Sequence, residues 1–259
     1  MRRPVDAVPV RCDDLSLSRG ADRVVDGVTL TLEEGRTLAV MGATGAGKSS
    51  LAAMLGGAEV PGLVVSGGDA SVLGVPIGKG GRARRHRLFA TGYLPQRAGT
   101  SLPPRLTVGE VIGEPVASRD RRVNQRALAE RVAGLLDEFG LSLGAASKYP
   151  YELSAGMRQR VAIARALMLD PRLLVVDEPF ANLDPEVHVL VRYALRRRVA
   201  DDGVAMLMVT NDADVARDIG ADVLVLHGGH PVAAGPGVDD LTWSPGGREQ
   251  AGGGVRATP

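Results

Sequence analysis

The chain has 259 residues, enough for one large domain or two small ones, and 44% of them are apolar, which supports a sizeable core. Its 31 Lys and Arg against 30 Asp and Glu leave no excess charge that would demand nucleic acid or an anionic surface as partner. No stretch reaches the roughly 18–20 uncharged apolar residues of a membrane-crossing helix, and the single cysteine, Cys12, excludes an internal disulfide or a multi-cysteine metal site.

The opening Met1-Arg2-Arg3-Pro4 looks like a twin-arginine start, but no sustained apolar region follows before Asp14, so no export signal is expected. Residues 10–17 and 24–32 alternate apolar and polar positions around Gly20-Ala21-Asp22, predicting an antiparallel hairpin with Cys12 as a reduced thiol on its first strand. A short strand follows at 36–41, then a glycine-rich turn and a helix over 49–55 that closes at Gly56-Gly57. Strand, glycine turn and helix make the first unit of a parallel α/β sheet. Residues 64–77 read as short strands and turns. The basic run Arg82-Ala83-Arg84-Arg85-His86-Arg87 reads as a solvated helix face rather than a nucleic-acid or lipid contact. From 106 to about 168 the pattern is mostly helical, clearest and most amphipathic over 124–139, and suggests a helical insert. The apolar runs 173–176, 205–209 and 223–226 are of the kind buried on both faces of a parallel sheet. His227-Gly228-Gly229-His230 reads as a strand-end turn, since no third metal ligand accompanies its two histidines. Beyond Asp240 the chain turns to Gly, Pro, Ser and Arg, and residues 241–259 are expected to form a mobile tail.

Two motifs carry chemistry. Gly42-Ala43-Thr44-Gly45-Ala46-Gly47-Lys48-Ser49 fits the pattern G-x-x-x-x-G-K-[ST] in its required place between strand and helix. Glycines let the backbone N–H groups close around phosphate oxygens, and the helix adds the positive end of its dipole. Lys48 would reach the β- and γ-phosphates and Ser49 would ligate Mg²⁺, with Ser50 beside them in the same cradle. Downstream, the apolar strand ending in Asp177-Glu178-Pro179 supplies two carboxylates: Asp177 to hold the Mg²⁺ shell, Glu178 to orient the attacking water. These motifs imply a nucleoside triphosphatase or kinase.

Leu153-Ser154-Ala155-Gly156-Met157, running into Arg158-Gln159-Arg160 and a helix, narrows the reading. It resembles the signature motif of the ABC transporter ATPases, usually L-S-G-G-Q, with Ala155 and Met157 in place of Gly and Gln. The resemblance spans about 10–236. It implies an α/β fold: a P-loop NTPase (RecA-like) core with an N-terminal antiparallel β subdomain and an inserted helical subdomain at about 98–168, all within an ATPase domain at 8–240. It implies that ATP and Mg²⁺ bind, and that Ser154, Ala155, Gly156 and Met157 contact the γ-phosphate of ATP held by a partner subunit. Gln96, in Tyr93-Leu94-Pro95-Gln96, takes the place of the Q-loop glutamine that links Mg²⁺ and water to the helical subdomain, and Ala181-Asn182-Leu183-Asp184 resembles the D-loop.

Two positions depart from the family. Asn211 stands in Thr210-Asn211-Asp212 where a histidine normally contacts the γ-phosphate, so a slow hydrolytic site is expected, because a neutral amide carries no charge. Arg19 stands where an aromatic ring commonly stacks on adenine, a task that a guanidinium plane can also perform. Within the family, Lys148-Tyr149-Pro150-Tyr151-Glu152 leading into the signature, and Gly99-Thr100-Ser101-Leu102-Pro103-Pro104, resemble the ATPases of oligopeptide, dipeptide and nickel importers. That implies a second, non-identical ATPase subunit, transmembrane permease subunits docking near Arg97 to Pro115, an extracellular solute-binding protein, no nucleic acid, and a peripheral place on the cytoplasmic face of the membrane. An exporter ATPase and a soluble ABC ATPase remain the alternatives.

Overall fold

The structure is a computed structural model that describes residues 8–120 and 122–244. The alternating N-terminal segment forms β1 (Val10–Arg19) and β2 (Asp22–Leu32), antiparallel from Val10↔Leu32 to Arg19↔Asp22. Their inward side chains, among them Cys12, Leu15, Leu17, Val25 and Val28, are buried. β3 (Thr37–Gly42) is buried at all six positions and leads through the glycine turn into α1 (Lys48–Gly56). α1 stops where Gly57 takes φ 77° and turns its N–H back to the last carbonyls, the usual task of a glycine just past a helix end. β4 (Leu63–Val72) returns to lie beside β1 and pairs with β5 (Val75–Pro76), completing an antiparallel sheet of order β2-β1-β4-β5.

α2 (Gly81–Phe89) carries the basic run and leads into β6 (Thr91–Leu94). The helical insert contains α3 (Val108–Ala117), opened by a reciprocal Thr107–Glu110 cap, and α4 (Gln125–Glu138), capped by Asn124. With its capping residues Asn124 and Phe139, α4 spans the amphipathic stretch 124–139. α5 (Ala155–Leu167) begins within the signature residues and packs back onto the sheet, so that Val161, Ile163, Ala164 and Leu167 share one core with Leu174 and Val176. The chain then alternates strand and helix: β7 (Leu173–Asp177), α6 (Pro185–Ala200), β8 (Ala205–Val209), α7 (Ala213–Ile219) and β9 (Asp222–His227). β10 (His230–Gly235) turns back at His227-Gly228-Gly229-His230, as expected, and β11 (Thr242–Trp243) pairs with it.

The second sheet has the order β11-β10-β9-β3-β8-β7-β6, and its β9, β3, β8, β7 and β6 run parallel. Alternate residues of the same strands serve two cores. Met41, Leu174, Val176, Met206 and Met208 face the helical side, while Val40, Leu173, Val175, Leu207 and Val209 face α1 and the antiparallel sheet. This two-sided burial is why the strands read as unbroken apolar runs.

One expectation needs correcting. A tail starting at 241 is too early, because Thr242 and Trp243 form β11 on the edge strand β10 and Leu241 and Trp243 pack against the core. Polar neighbours and a following Pro-Gly-Gly hid a two-residue strand that exists only because β10 offers it a partner. Residues 245–259 of that expected tail, and the twin-arginine-like start, lie outside the described residues. Among the described residues no helix is long and apolar enough to cross a membrane, and no group of His, Cys, Asp and Glu is arranged to hold a metal by itself.

Candidate functional site

Three neighbouring parallel strands carry the site at their carboxyl ends. Register pairs Val40 of β3 with Val209 of β8, and Val209 with Asp177 of β7. The glycine turn after β3, the carboxylates ending β7 and the Thr210-Asn211 step after β8 therefore open onto one edge, where ligands bind in open α/β sheets.

The turn is shaped by backbone that only glycine accepts. Gly42 has φ 136°, and a Cβ there would stand 2.0 Å from the Leu226 carbonyl oxygen. Gly47 caps α1 at φ 95°, where a Cβ would lie 2.3 Å from the Val24 carbonyl oxygen. Between them Ala43, Thr44 and Gly45 are exposed at the crest, Ala46 is buried beneath, and Ser49 and Ser50 follow in the first turn of α1. Lys48 is 8% exposed, and its Nζ donates to the carbonyls of Gly42 at 2.6 Å and Ala43 at 2.9 Å. Its ammonium thus lies inside the curve of the loop. Burial pushes the Lys48 pKa down, and the fields of Glu178 and Asp177 oppose that shift.

Asp177 is 1% exposed. Burial holds its carboxyl above the ordinary range, against the Ser49 hydroxyl and the Lys48 charge, which pull the other way. Its Oδ1 is buried without a hydrogen-bond partner. An orphaned anionic oxygen beside a serine hydroxyl is a donor set for a hard divalent cation, so the residues present fit Mg²⁺. Glu178 follows at φ 51°, its N–H donating to the Val209 carbonyl at 3.0 Å. Burial first, then Asp177, raises its carboxyl pKa, with Lys48 opposing and Asp212 adding to the rise.

The departing position is tied directly to the cradle: the Gly42 N–H donates to Asn211 Oδ1 at 3.1 Å. That bond assigns the amide's oxygen end and leaves its NH₂ as the free donor. Gln96 lies two residues past the carboxyl end of β6, beside β7, but is exposed and makes no hydrogen bond among the described residues. Arg19 is exposed at the hairpin tip, paired with Asp22 and Leu63, and no described contact brings it to the cradle.

The signature residues form the N-terminus of α5. Ser154 Oγ accepts the Met157 N–H at 3.2 Å, and Ser154 and Ala155 face outward. The D-loop lies against this turn, since a Cβ on Gly156 would stand 3.0 Å from the Asn182 carbonyl oxygen. Asp184 then caps α6 through the Val187 N–H. The structure adds one residue that the sequence did not single out. Gln159 is 2% exposed, and its Nε2 donates to the Pro179 carbonyl at 3.0 Å and the Glu178 carbonyl at 3.4 Å. A polar side chain in register with the buried Ala162 and Ile163 was the available signal.

A family model described as ABC transporter matches residues 25–181. The chain belongs to the ABC transporter family. It is 35% identical over 216 residues to the oligopeptide transport ATP-binding protein OppF of Escherichia coli (strain K12), a match covering 82% of this chain and 63% of that protein. It is also 35% identical over 221 residues to the peptidoglycan transport ATP-binding protein YejF of Agrobacterium fabrum, covering 84% of this chain and 39% of that one. The chain thus spans less than two thirds of the length of these relatives. Among solved structures, the dimeric post-hydrolysis state of the ATP-binding cassette MJ0796 bound to ADP and Pi aligns with TM-score 0.79 and 25% identity, over 87% of this chain and 97% of the other. The family's nucleotide-binding cassette is therefore the fold that places Lys48, Asp177, Glu178 and Asn211 on one edge.

Proposed function

We propose that this chain binds and hydrolyses MgATP as the peripheral ATPase subunit of a peptide importer. The observation that carries the chemistry is the convergence of Lys48, Asp177, Glu178 and Asn211 at the ends of three adjacent strands. In this reading the N–H groups of residues 42–49 and the α1 terminus hold the phosphates, and Lys48 exchanges its two carbonyl partners for β- and γ-phosphate oxygens. Asp177 and Ser49 would hold Mg²⁺, which supplies charge neutralisation for the transferring phosphoryl group. Glu178, with its raised pKa, orients the attacking water and accepts its proton. Asn211 holds Gly42 and presents a neutral NH₂ where the family has histidine, which makes the site slow.

The exposed Ser154 turn is spare in a single chain, and it supports a second cassette closing over the cradle. The resemblance of this chain to OppF, named for oligopeptide transport, supports peptides as the solute class, and the second ATPase is proposed to be non-identical. Permease docking at 97–115 is supported by an apolar groove of about 720 Å³ between α3 and α4, lined among others by Leu106, Gly109, Gly113, Leu128, Val132 and Leu136. A permease there places the chain on the cytoplasmic membrane face, with a solute-binding protein outside. The test is purification of the intact complex, followed by reconstitution into vesicles. Peptide-loaded binding protein should accelerate phosphate release. Recovery only with soluble partners, or export of the solute, refutes the importer reading.

A further inference from the structure

A buried amide in an apolar helix stripe is an expensive choice. A methionine would fill the same volume without desolvating a polar group, so the amide must be retained for its hydrogen bonds. Gln159 makes two, both from Nε2 and both to carbonyls of consecutive residues, Glu178 and Pro179. Those bonds set the two peptide planes that immediately follow the Glu178 Cα. Glu178 itself sits at φ 51°, a left-handed conformation that a residue with a Cβ does not adopt unaided. On one flank it is held by its N–H to Val209, and on the other by Gln159.

Gln159 also touches the turn that carries Gln96. Gly99 belongs to the short helical turn 98–100 and packs so closely on α5 that a Cβ would stand 2.8 Å from the Gln159 backbone nitrogen. The signature residues Ser154 to Met157 lie less than two helical turns ahead on the same helix. Three segments that a nucleotide would bring together therefore meet at one residue of the signature helix: the Gln96 turn packs on the Gln159 backbone, and the Gln159 side chain bonds the carbonyls of Glu178 and Pro179.

We propose that Gln159 is a positioning residue: its amide holds the Glu178 carboxylate in line and makes that placement depend on the seating of α5. This rests on the reading of Glu178 as the residue that orients water for ATP hydrolysis. A shift of α5 as Ser154 engages the partner's nucleotide pulls on the carbonyls of Glu178 and Pro179 through Gln159, without any change in the cradle that binds ATP.

The test compares the complex carrying wild type, Gln159→Met and Gln159→Glu, by steady-state phosphate release, nucleotide titration and thermal melting. Gln159→Met should lower kcat by roughly ten- to hundredfold, the range expected when a catalytic group drifts by up to an ångström. KM and nucleotide affinity should stay within about twofold, because no cradle residue is touched. Gln159→Glu places acceptor oxygens against two carbonyls and donates only when protonated, so its activity relative to wild type should climb as pH falls. A Gln159→Met complex turning over within twofold of wild type overturns the proposal. So does a loss matched by equal losses of melting temperature and ATP affinity, or a pH-independent Gln159→Glu ratio. A wild-type complex that releases no more phosphate than Lys48→Ala refutes the ATPase reading itself, and the role of Gln159 with it.

Discussion

Gly45 and Gly47 occupy the same loop in the same left-handed conformation, at φ 83° and 95°, yet alanine should affect them very differently. Each substitution incurs the left-handed penalty for a residue with a Cβ, about 1–2 kcal/mol. At Gly45 the new methyl meets nothing within 4 Å, so that penalty is the whole cost to the nucleotide-free chain. At Gly47 the methyl would stand 2.3 Å from the Val24 carbonyl oxygen and 3.0 Å from the Val25 side chain. Val24 has little room to retreat, because its strand is tied to the neighbouring turn by the Asp26 N–H to the Gly229 carbonyl, and the same Val24 carbonyl lies 3.1 Å from where a Cβ on Gly229 would stand. Overpacking of this kind adds about 1–3 kcal/mol, so Gly47→Ala should destabilise by about 2–5 kcal/mol against about 1–2 for Gly45→Ala. Urea unfolding followed by circular dichroism, without nucleotide, reads both values. Equal midpoints for the two variants would refute the assignment of the Gly47 constraint to the β2 backbone.

Asn211→His should raise turnover of the assembled complex severalfold, because an imidazole can share charge with the γ-phosphate where the amide cannot; unchanged turnover would mean that Asn211 does not limit hydrolysis. Asp177→Asn should raise the melting temperature of the nucleotide-free chain at pH 7. The folded-state pKa of Asp177 lies above its ordinary 3.8, so the stability linked to its protonation is present below that value and lost as pH rises through the folded pKa. The advantage of the variant should therefore shrink on acidification, and in the presence of MgATP it should disappear as the wild type gains ligand stabilisation that Asn cannot support. Melting curves across pH, with and without nucleotide, check both parts.

The residues that make local chemistry were legible in the sequence because their constraints are local. Gly42, Gly47, Lys48 and Ser49 must lie within one strand-to-helix turn, and Asp177-Glu178 must end an apolar strand. What escaped depends on neighbours distant in the chain. β6 has only four residues, two of them Thr91 and Gly92, and is a strand because β7 lies beside it. α6 carries charge around much of its surface, and α7 has seven residues, too few to show a period. β10 and β11 form an antiparallel edge added to a parallel sheet. The Asn211–Gly42 bond spans 169 positions, and Gln159 meets Glu178 only because α5 folds back over the end of β7.

The edge formed by Gly42–Ser49, Asp177 and Glu178 is proposed to bind MgATP and cleave it. Phosphate release and ATP retention, measured side by side on complexes carrying wild-type chain and Glu178→Gln, decide this. Glu178→Gln should bind ATP at least as tightly, keep it uncleaved, and lose about a hundredfold or more in turnover at its own site. Undiminished cleavage by Glu178→Gln, or absence of MgATP binding by the wild type, would refute a hydrolytic role for this edge.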